Sequence, residues 1–169
     1  MQTPPKERRI LGIDPGLATT GLGLIVARSD QDIEALDWLT IETKAGTPLL
    51  ERLAEIEHDL SEYLEEAAPS LVVVERLFFA VNERSALEVA QARGAILLAA
   101  AKKTLPILEP TPLELKSCIT GDGKADKKQM QAMLTRILSL KETPQPADAA
   151  DALALAVFGA LHQRTLTAL

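Results

Sequence analysis

The run LVVVE at positions 71–75 constrains the fold more than any other segment of this chain. Four consecutive apolar residues, three of them valine, predict a strand that is buried on both faces. A strand of that kind lies in a sheet that is covered by helices on both sides. The order of the remaining patterns is βββαβαβααα, which predicts an α/β fold with a mixed five-stranded sheet flanked by helices.

Three strands joined by short links precede this run and predict an antiparallel meander. Their predicted positions are 9–14, 21–29 and 33–43, and glycines 21 and 23 indicate a bulge or a close approach to the Pro15-Gly16 turn. Apolar residues at helical spacing predict the other elements. The predicted helices lie at 48–67, 84–103, 111–119, 126–140 and from 146 or 147 to about 164, with a short strand at 106–110.

The length of 169 residues fits one domain. We interpret residues 1–8 as a loose leader and residues 9–169 as a single domain. No apolar run reaches the roughly 18 residues of a membrane span. The single cysteine, Cys118, fits a reducing compartment. These features predict a cytoplasmic protein that does not bind membranes.

The charge of this chain is unevenly distributed. The net charge is −6, yet residues 49–75 carry eight acidic side chains against one arginine, whereas residues 111–141 carry six basic side chains against three acidic ones. A molecule polarised in this way can present a basic surface to a polyanion despite its negative total.

Four acidic residues stand out from apolar surroundings. Asp14 ends the apolar run ILGID, and Glu75 ends LVVVE in the same manner. Asp148 and Asp151 are three residues apart in ADAADALALA, so a helix projects both from one face. Carboxylates gathered without a counter-charge repel one another, and divalent cations remove that conflict. Oxygen ligands favour Mg²⁺ or Mn²⁺, and a pair of such ions can catalyse phosphodiester hydrolysis.

Each acidic residue also has a purely structural interpretation, which the sequence leaves open. Asp14 before Pro-Gly is compatible with a plain turn, and Glu75 with a salt bridge to Arg76. Asp148 is compatible with a helix N-cap. Asp151 is compatible with compensation of the helix dipole in the first turn.

Four stretches carry a resemblance to a known family. They are LGIDPG with the following TG, VVVERLFFAVNERSALEVAQARGAI, GDGKADKKQ and ADAADALALA. In order and spacing these resemble the RuvC-type Holliday junction resolvases, nucleases of the RNase H-like superfamily. The resemblance implies a homodimer that nicks opposite strands of four-way junction DNA with Mg²⁺ or Mn²⁺ in recombination and repair. It also implies association with the RuvA-RuvB branch-migration complex.

The resemblance assigns roles to individual residues as well. Asp14, Glu75, Asp148 and Asp151 match the four catalytic metal ligands. Phe78 matches the residue that stacks on a base at the junction point, although both Phe78 and Phe79 are also compatible with core packing. Lys116 and Lys127 match positions near the scissile phosphate, where Lys116 can also stabilise the transition state. Further candidates for phosphate contacts are Arg84, Arg93, Lys124 and Lys128.

The helix predicted at 84–103 has two open interpretations. Its alanines and Gly94 permit close packing against a second copy of the chain, and they equally permit ordinary packing on the sheet.

Three competing classes remain. IDPGLATTGLG also resembles the phosphate-binding hairpin of actin-like and sugar-kinase ATPases, which need two such domains. A smaller nuclease-like relative of the YqgF type is the second alternative. The third is a protein that binds junctions without cutting them, which the presence of all four acids disfavours. Cleavage that needs a divalent ion and no ATP separates these classes.

Overall fold

The computed structural model describes residues 7–77 and 83–162. Within those ranges the chain forms five strands and five helices in the predicted order. The strands are β1 Arg8–Asp14, β2 Thr19–Ser29, β3 Asp32–Glu42, β4 Leu71–Val74 and β5 Ile107–Leu108. The helices are α1 Leu49–Ala67, α2 Glu83–Lys102, α3 Pro112–Thr120, α4 Lys127–Ile137 and α5 Ala147–His162.

The sheet is mixed, as predicted. Its strand order is β3-β2-β1-β4-β5, in which β1, β2 and β3 form an antiparallel meander and β4 is parallel to both β1 and β5. All four residues of β4 are buried, in agreement with the expectation from their apolar run. This topology places the ends of β1 and β4 at the same edge of the sheet.

Helices cover both faces of the sheet and divide the core into two layers. Residues Ile10 and Val73 face the layer that contains α3, α4 and α5. Leu11, Val72 and the other strand residues that alternate with those of the first layer face α1 and α2. The period of two along each strand therefore decides which side chains can meet α5.

Helix α5 lies directly on the backbone of β1 and β2. A Cβ atom built on Gly12 would be 1.9 Å from the Ala152 carbonyl oxygen, and one on Gly23 would be 2.4 Å from the Leu153 nitrogen. On Gly21 it would be 2.1 Å from the Asp148 carbonyl oxygen. The expectation that glycines 21 and 23 approach the Pro15-Gly16 turn is wrong, because they make room for α5. A bulge does occur in β2, between Leu24 and Ile25, but it lies in the pairing of β2 with β3.

The boundaries differ from the sequence prediction at several ends. β1 begins at Arg8, the last residue of the predicted leader, and β5 has two residues because only Ile107 and Leu108 pair with β4. α4 ends at Ile137, three residues early, since Ser139 adopts a left-handed backbone conformation with φ of 51°. The predicted extension of α5 beyond His162 lies outside the described residues.

One face of α2 packs on the molecule itself. Ala92, Ile96, Ala99 and Ala100 are buried against α1 and the sheet. The opposite face exposes Leu87 and Leu98, so the interpretation of α2 as a contact between two copies stays open. None of the helices in the described part is long and apolar enough to cross a bilayer.

Candidate active site

Strands β1 and β4 deliver Asp14 and Glu75 to one point. Asp14 is the last residue of β1 and pairs with Gly21 across the antiparallel ladder. Its predecessor Ile13 pairs with Val74, so Glu75 follows at the same edge. Alternation along the strands puts Asp14 on the face of Gly12 and Glu75 on the face of Val73, which is the face that α5 covers.

Helix α5 brings the other two acids to the same place. The Asp148 carbonyl lies against Gly21, the residue paired with Asp14. Asp148 and Asp151 are three residues apart and share one side of the helix. Because no side chain separates α5 from β2 at Gly21, the first turns of the helix stand beside the end of β1.

The pKa of Asp14 reflects its burial and its proximity to the other three acids. Burial is the largest cause that raises the pKa of Asp14 from 3.8 to about 7; the charges of Asp151, Glu75 and Asp148 contribute to the same rise, in that order of size, and Lys127 opposes it. Burial also raises the pKa of Glu75, as does the charge of Asp151, while Lys116 lowers it. Full ionisation of this cluster is unfavourable without additional positive charge.

A cavity of about 230 Å³ opens beside the acids. Three of them, Asp14, Glu75 and Asp151, line it, together with Lys116 and Lys127. Its remaining wall is apolar and consists of Pro112, Leu115, Met130, Ala154 and Leu155. Asp148 is not among these lining residues, and its charge raises the pKa of Asp14 less than the charges of Asp151 and Glu75 do.

Two helix starts position the lysines at this cavity. In α3, Thr111 and Glu114 form a reciprocal capping box that fixes the helix on which Lys116 lies. In α4, Asp126 and Gln129 form a second capping box, which places Lys127 at the first helical position.

Lys127 makes the closest contact between the basic and acidic residues of the site. Its Nζ is 3.2 Å from Asp151 Oδ2. Lys116 has no such ion pair among the described residues, and it acts on Glu75 across the cavity.

The other predicted DNA contacts are not gathered here. Lys124 stands in the turn before α4, where its backbone N–H donates to Asp122 Oδ1 at 2.8 Å, and Lys128 is exposed. Neither lines the cavity. Arg84 belongs to α2, but its side chain and the whole of Phe78 and Phe79 lie outside the described residues.

Three structural interpretations of the acids are contradicted by the described residues. Glu75 forms no ion pair with Arg76, and the charge of Arg76 instead acts on Glu114. Asp148 is the second residue of α5 and therefore not its N-cap. Asp151 lies beyond the first turn, in which Asp148 is the acidic residue.

Arg93 has a role that the sequence did not reveal. It was expected among the phosphate contacts, yet its Nε donates to the Glu75 carbonyl oxygen at 3.1 Å and its guanidinium pairs with Glu109. This contact joins residues 18 positions apart and has no periodic signature in the sequence.

The donor set fits hard divalent cations. All four acidic side chains offer carboxylate oxygens, which Mg²⁺ and Mn²⁺ prefer. In the described part of the chain, no three Asp, Glu, His or Cys side chains lie close enough together to hold a metal ion as they stand.

Comparisons with known proteins show which proteins this chain resembles in sequence and fold. A family model described as Crossover junction endodeoxyribonuclease RuvC matches residues 10–159. A protein of that name from Moorella thermoacetica is 50% identical over 148 residues, which cover 88% of each chain. One from Desulfitobacterium hafniense (strain DSM 10664 / DCB-2) is 47% identical over 148 residues, 88% of this chain and 89% of the relative.

Solved structures agree with the sequence relatives. The structure of Thermus thermophilus RuvC superimposes with a TM-score of 0.86 at 34% identity, covering 94% of this chain and 97% of that one. The same protein in complex with a Holliday junction substrate gives 0.89 at 34% identity, covering 95% and 97%. The yeast mitochondrial resolvase Ydc2 gives 0.69 at 18% identity, covering 95% and 81%, and shares the fold.

Proposed function

This chain belongs to the RuvC family of crossover junction endodeoxyribonucleases, and we propose that it resolves Holliday junctions with the four carboxylates at the edge of its sheet as the catalytic centre. It is a nuclease of DNA recombination and repair by that membership. The observation that carries the assignment of the site is the convergence of Asp14, Glu75, Asp148 and Asp151 from three separate elements beside two lysines. Proteins hold such a repulsive cluster together where positive charge is to be bound.

In this proposal the four acids hold two Mg²⁺ or Mn²⁺ ions, whose positive charge would favour the ionised forms of Asp14 and Glu75 that burial and neighbouring carboxylates disfavour. Ions in such a pair activate a water molecule and stabilise the leaving oxygen when bound. The protein's contribution is the fixed geometry of the carboxylates. Asp14 is set by the strand register, Glu75 follows the end of β4, and Asp148 and Asp151 are set by the packing of α5 on glycine.

Lys116 and Lys127 bind the scissile phosphate in this proposal. Both line the cavity beside the acids, so a phosphate placed there is within reach of two positive charges. Lys116, which is free of a carboxylate partner among the described residues, also stabilises the negative charge that grows in the transition state. Lys124 and Lys128, which do not line the cavity, serve together with Arg84 as outer phosphate contacts.

Phe78 is proposed to stack on a base opened at the crossover. It follows Glu75 by three residues, which keeps it near the catalytic centre in the chain. A base stacked on an aromatic ring gains roughly 1–3 kcal/mol.

The proposed working unit is a homodimer, because two symmetric nicks need two active sites related by the axis of the junction. The exposed face of α2 supplies a contact surface. Leu87, Gly94, Leu98 and Ala101 follow one another at spacings of seven, four and three residues and are all exposed. We further propose a cytoplasmic location and cooperation with the RuvA-RuvB branch-migration complex.

The proposal is tested with a mobile four-way junction and a linear duplex of the same sequence, each incubated with the protein and Mg²⁺ or Mn²⁺. We expect paired nicks at symmetric positions on opposite strands of the junction, none on the duplex, and none when the metal is chelated. ATP should have no effect. Equal cutting of the duplex, or a requirement for ATP, would contradict the proposal and favour a general nuclease or an actin-like ATPase.

A further inference from the structure

Arg93 is a mostly buried arginine that contacts the main chain of Glu75, one of the proposed catalytic acids. Its side chain is 15% exposed. Its Nε donates a hydrogen bond of 3.1 Å to the Glu75 carbonyl oxygen, and its Nη2 donates to the Glu109 carboxylate. One guanidinium from α2 thus joins the chain just after β4 to the chain just after β5.

The sheet itself does not hold Glu75. The last pair between β4 and β1 is Val74 with Ile13, and the last pair between β4 and β5 is Val73 with Leu108. Glu75 therefore begins the segment that leaves the sheet. Beyond it, the Arg76 N–H donates to the Pro110 carbonyl oxygen at 2.8 Å. The contact from Arg93 and this one fix the direction in which the chain leaves β4.

The direction of the chain after β4 matters because the neighbouring carboxylates repel the carboxylate of Glu75. This carboxylate lines the same cavity as those of Asp14 and Asp151, and like charges gathered at one cavity repel one another. A carboxylate under this force keeps its place only when its backbone is anchored. The guanidinium group of arginine is suited to the task since it is planar and presents its donors in a rigid fork.

Arg93 does not act as a charge on the Glu75 carboxylate. The charges that act most on that group are those of Asp151 and Lys116. The positive charge of Arg93 is already paired with Glu109. Its effect on Glu75 therefore passes through the main-chain carbonyl.

We propose that Arg93 is a positioning residue of the nuclease reaction, which holds the Glu75 main chain so that the Glu75 carboxylate enters the metal-binding cluster at a fixed position. This inference rests on the proposed function, in which Glu75 is a metal ligand. It assigns Arg93 a place in catalysis without contact to DNA or metal.

The test is the substitution Arg93→Lys, which keeps the positive charge beside Glu109 but removes the Nε donor and the rigid fork. We expect an unchanged Kd for the junction and a fall in kcat of about 100-fold, the size of effect that a misplacement of 1 Å can have. Mn²⁺ binding to the DNA-free protein, followed by electron paramagnetic resonance, should weaken as well. Arg28→Lys is the matched control, because Arg28 pairs with Glu7, Asp32 and Glu34 at the opposite edge of the sheet.

Thermal unfolding of both variants separates positioning from stability. If Arg93→Lys fails to fold, Glu109→Gln replaces it, since that change loosens Arg93 and retains a neutral acceptor. The inference predicts a lower kcat and weaker Mn²⁺ binding for Glu109→Gln at an unaltered junction Kd. Wild-type kcat and Mn²⁺ affinity in the variant that folds would overturn the inference. Wild-type protein that binds Mn²⁺ but does not nick junctions would instead overturn the proposed function.

Discussion

Asp14 has the most perturbed ionisation in the cluster of four acids, and this makes stability depend on pH. Its pKa is raised from 3.8 to about 7 in the folded protein. Between those two values the folded state binds more protons than the unfolded state, so stability falls as pH rises from about 4 to about 7. Above pH 7 Asp14 is ionised in both states and its contribution no longer changes.

We therefore expect the Tm of the metal-free protein to fall as pH rises from about 4 to about 7 and to level off above that. Asp14→Asn should reduce this slope and raise the Tm at pH 8, with each kcal/mol gained worth about 2–4 °C in a domain of this size. Glu55→Gln, which removes an exposed acid of α1, is the control and should keep the slope. A slope in Asp14→Asn equal to that of the wild type would place the perturbed ionisation elsewhere.

The two cavity lysines give a second prediction at this scale. Lys116→Ala and Lys127→Ala should each weaken junction binding and reduce its salt dependence by about one unit of slope per lost phosphate contact. Lys102→Ala is the control because Lys102 pairs with Glu57 of α1, away from the acids. Affinity measured over a range of salt concentrations checks this. Unchanged slopes for both cavity lysines would put the DNA on another surface.

The single residues of the site were predictable to different degrees. Asp14 and Glu75 could be read from the sequence because an acid that ends an apolar strand is conspicuous, and the helical spacing of Asp148 and Asp151 placed them on one side of α5. Lys116 and Lys127 were identified by family resemblance. Arg93 could not be assigned, since its target is a main-chain carbonyl and main-chain atoms leave no mark on sequence pattern.

At the scale of elements, the position of α5 depends on three glycines of the sheet. Gly12, Gly21 and Gly23 leave no side chain between the strands and the helix. The sequence predicted a bulge or a close approach at glycines 21 and 23, but not that α5 packs on them. Which helix packs on these glycines is decided by the tertiary fold. The local sequence pattern shows only that the glycines lack side chains.

Gly21→Ala should therefore displace the first turns of α5, where Asp148 and Asp151 lie. Its Cβ would fall 2.1 Å from the Asp148 carbonyl oxygen, and overpacking of this kind costs about 1–3 kcal/mol or more. We expect a lower Tm and a loss of nicking. Gly94→Ala is the control for unfolding alone, because nothing in the chain lies within 4 Å of the added Cβ, although Gly94 belongs to the proposed contact surface of α2. The prediction fails if Gly21→Ala unfolds and nicks like the wild type.

The proposed pairing of two copies gives a prediction at the scale of the whole molecule. If the exposed face of α2 forms the contact, Leu98→Glu should place a charge in an apolar interface and yield monomers. Leu50→Glu is the matched control, since Leu50 is 79% exposed on α1. Sedimentation at micromolar concentration checks the oligomeric state. A wild-type protein that is strictly monomeric, with full activity in paired nicking, would refute the dimer.

The order of elements and the mixed sheet were predictable because β4 is buried on both faces and because the helical periods are strong. The role of the exposed face of α2 was not predictable in the same way, because Ala and Gly occur equally well in a core and in a contact between two copies.

The central claim, that the four carboxylates are the catalytic metal ligands, is tested most directly by junction nicking with charge-neutral variants. Asp14→Asn, Glu75→Gln and Asp151→Asn should each lower the rate at least about 100-fold, since metal-ion stabilisation of a transition state is worth several kcal/mol. Their affinity for the junction in a binding assay should stay near that of the wild type, because Lys116 and Lys127 are retained. Wild-type nicking rates in any of the three variants would contradict the claim.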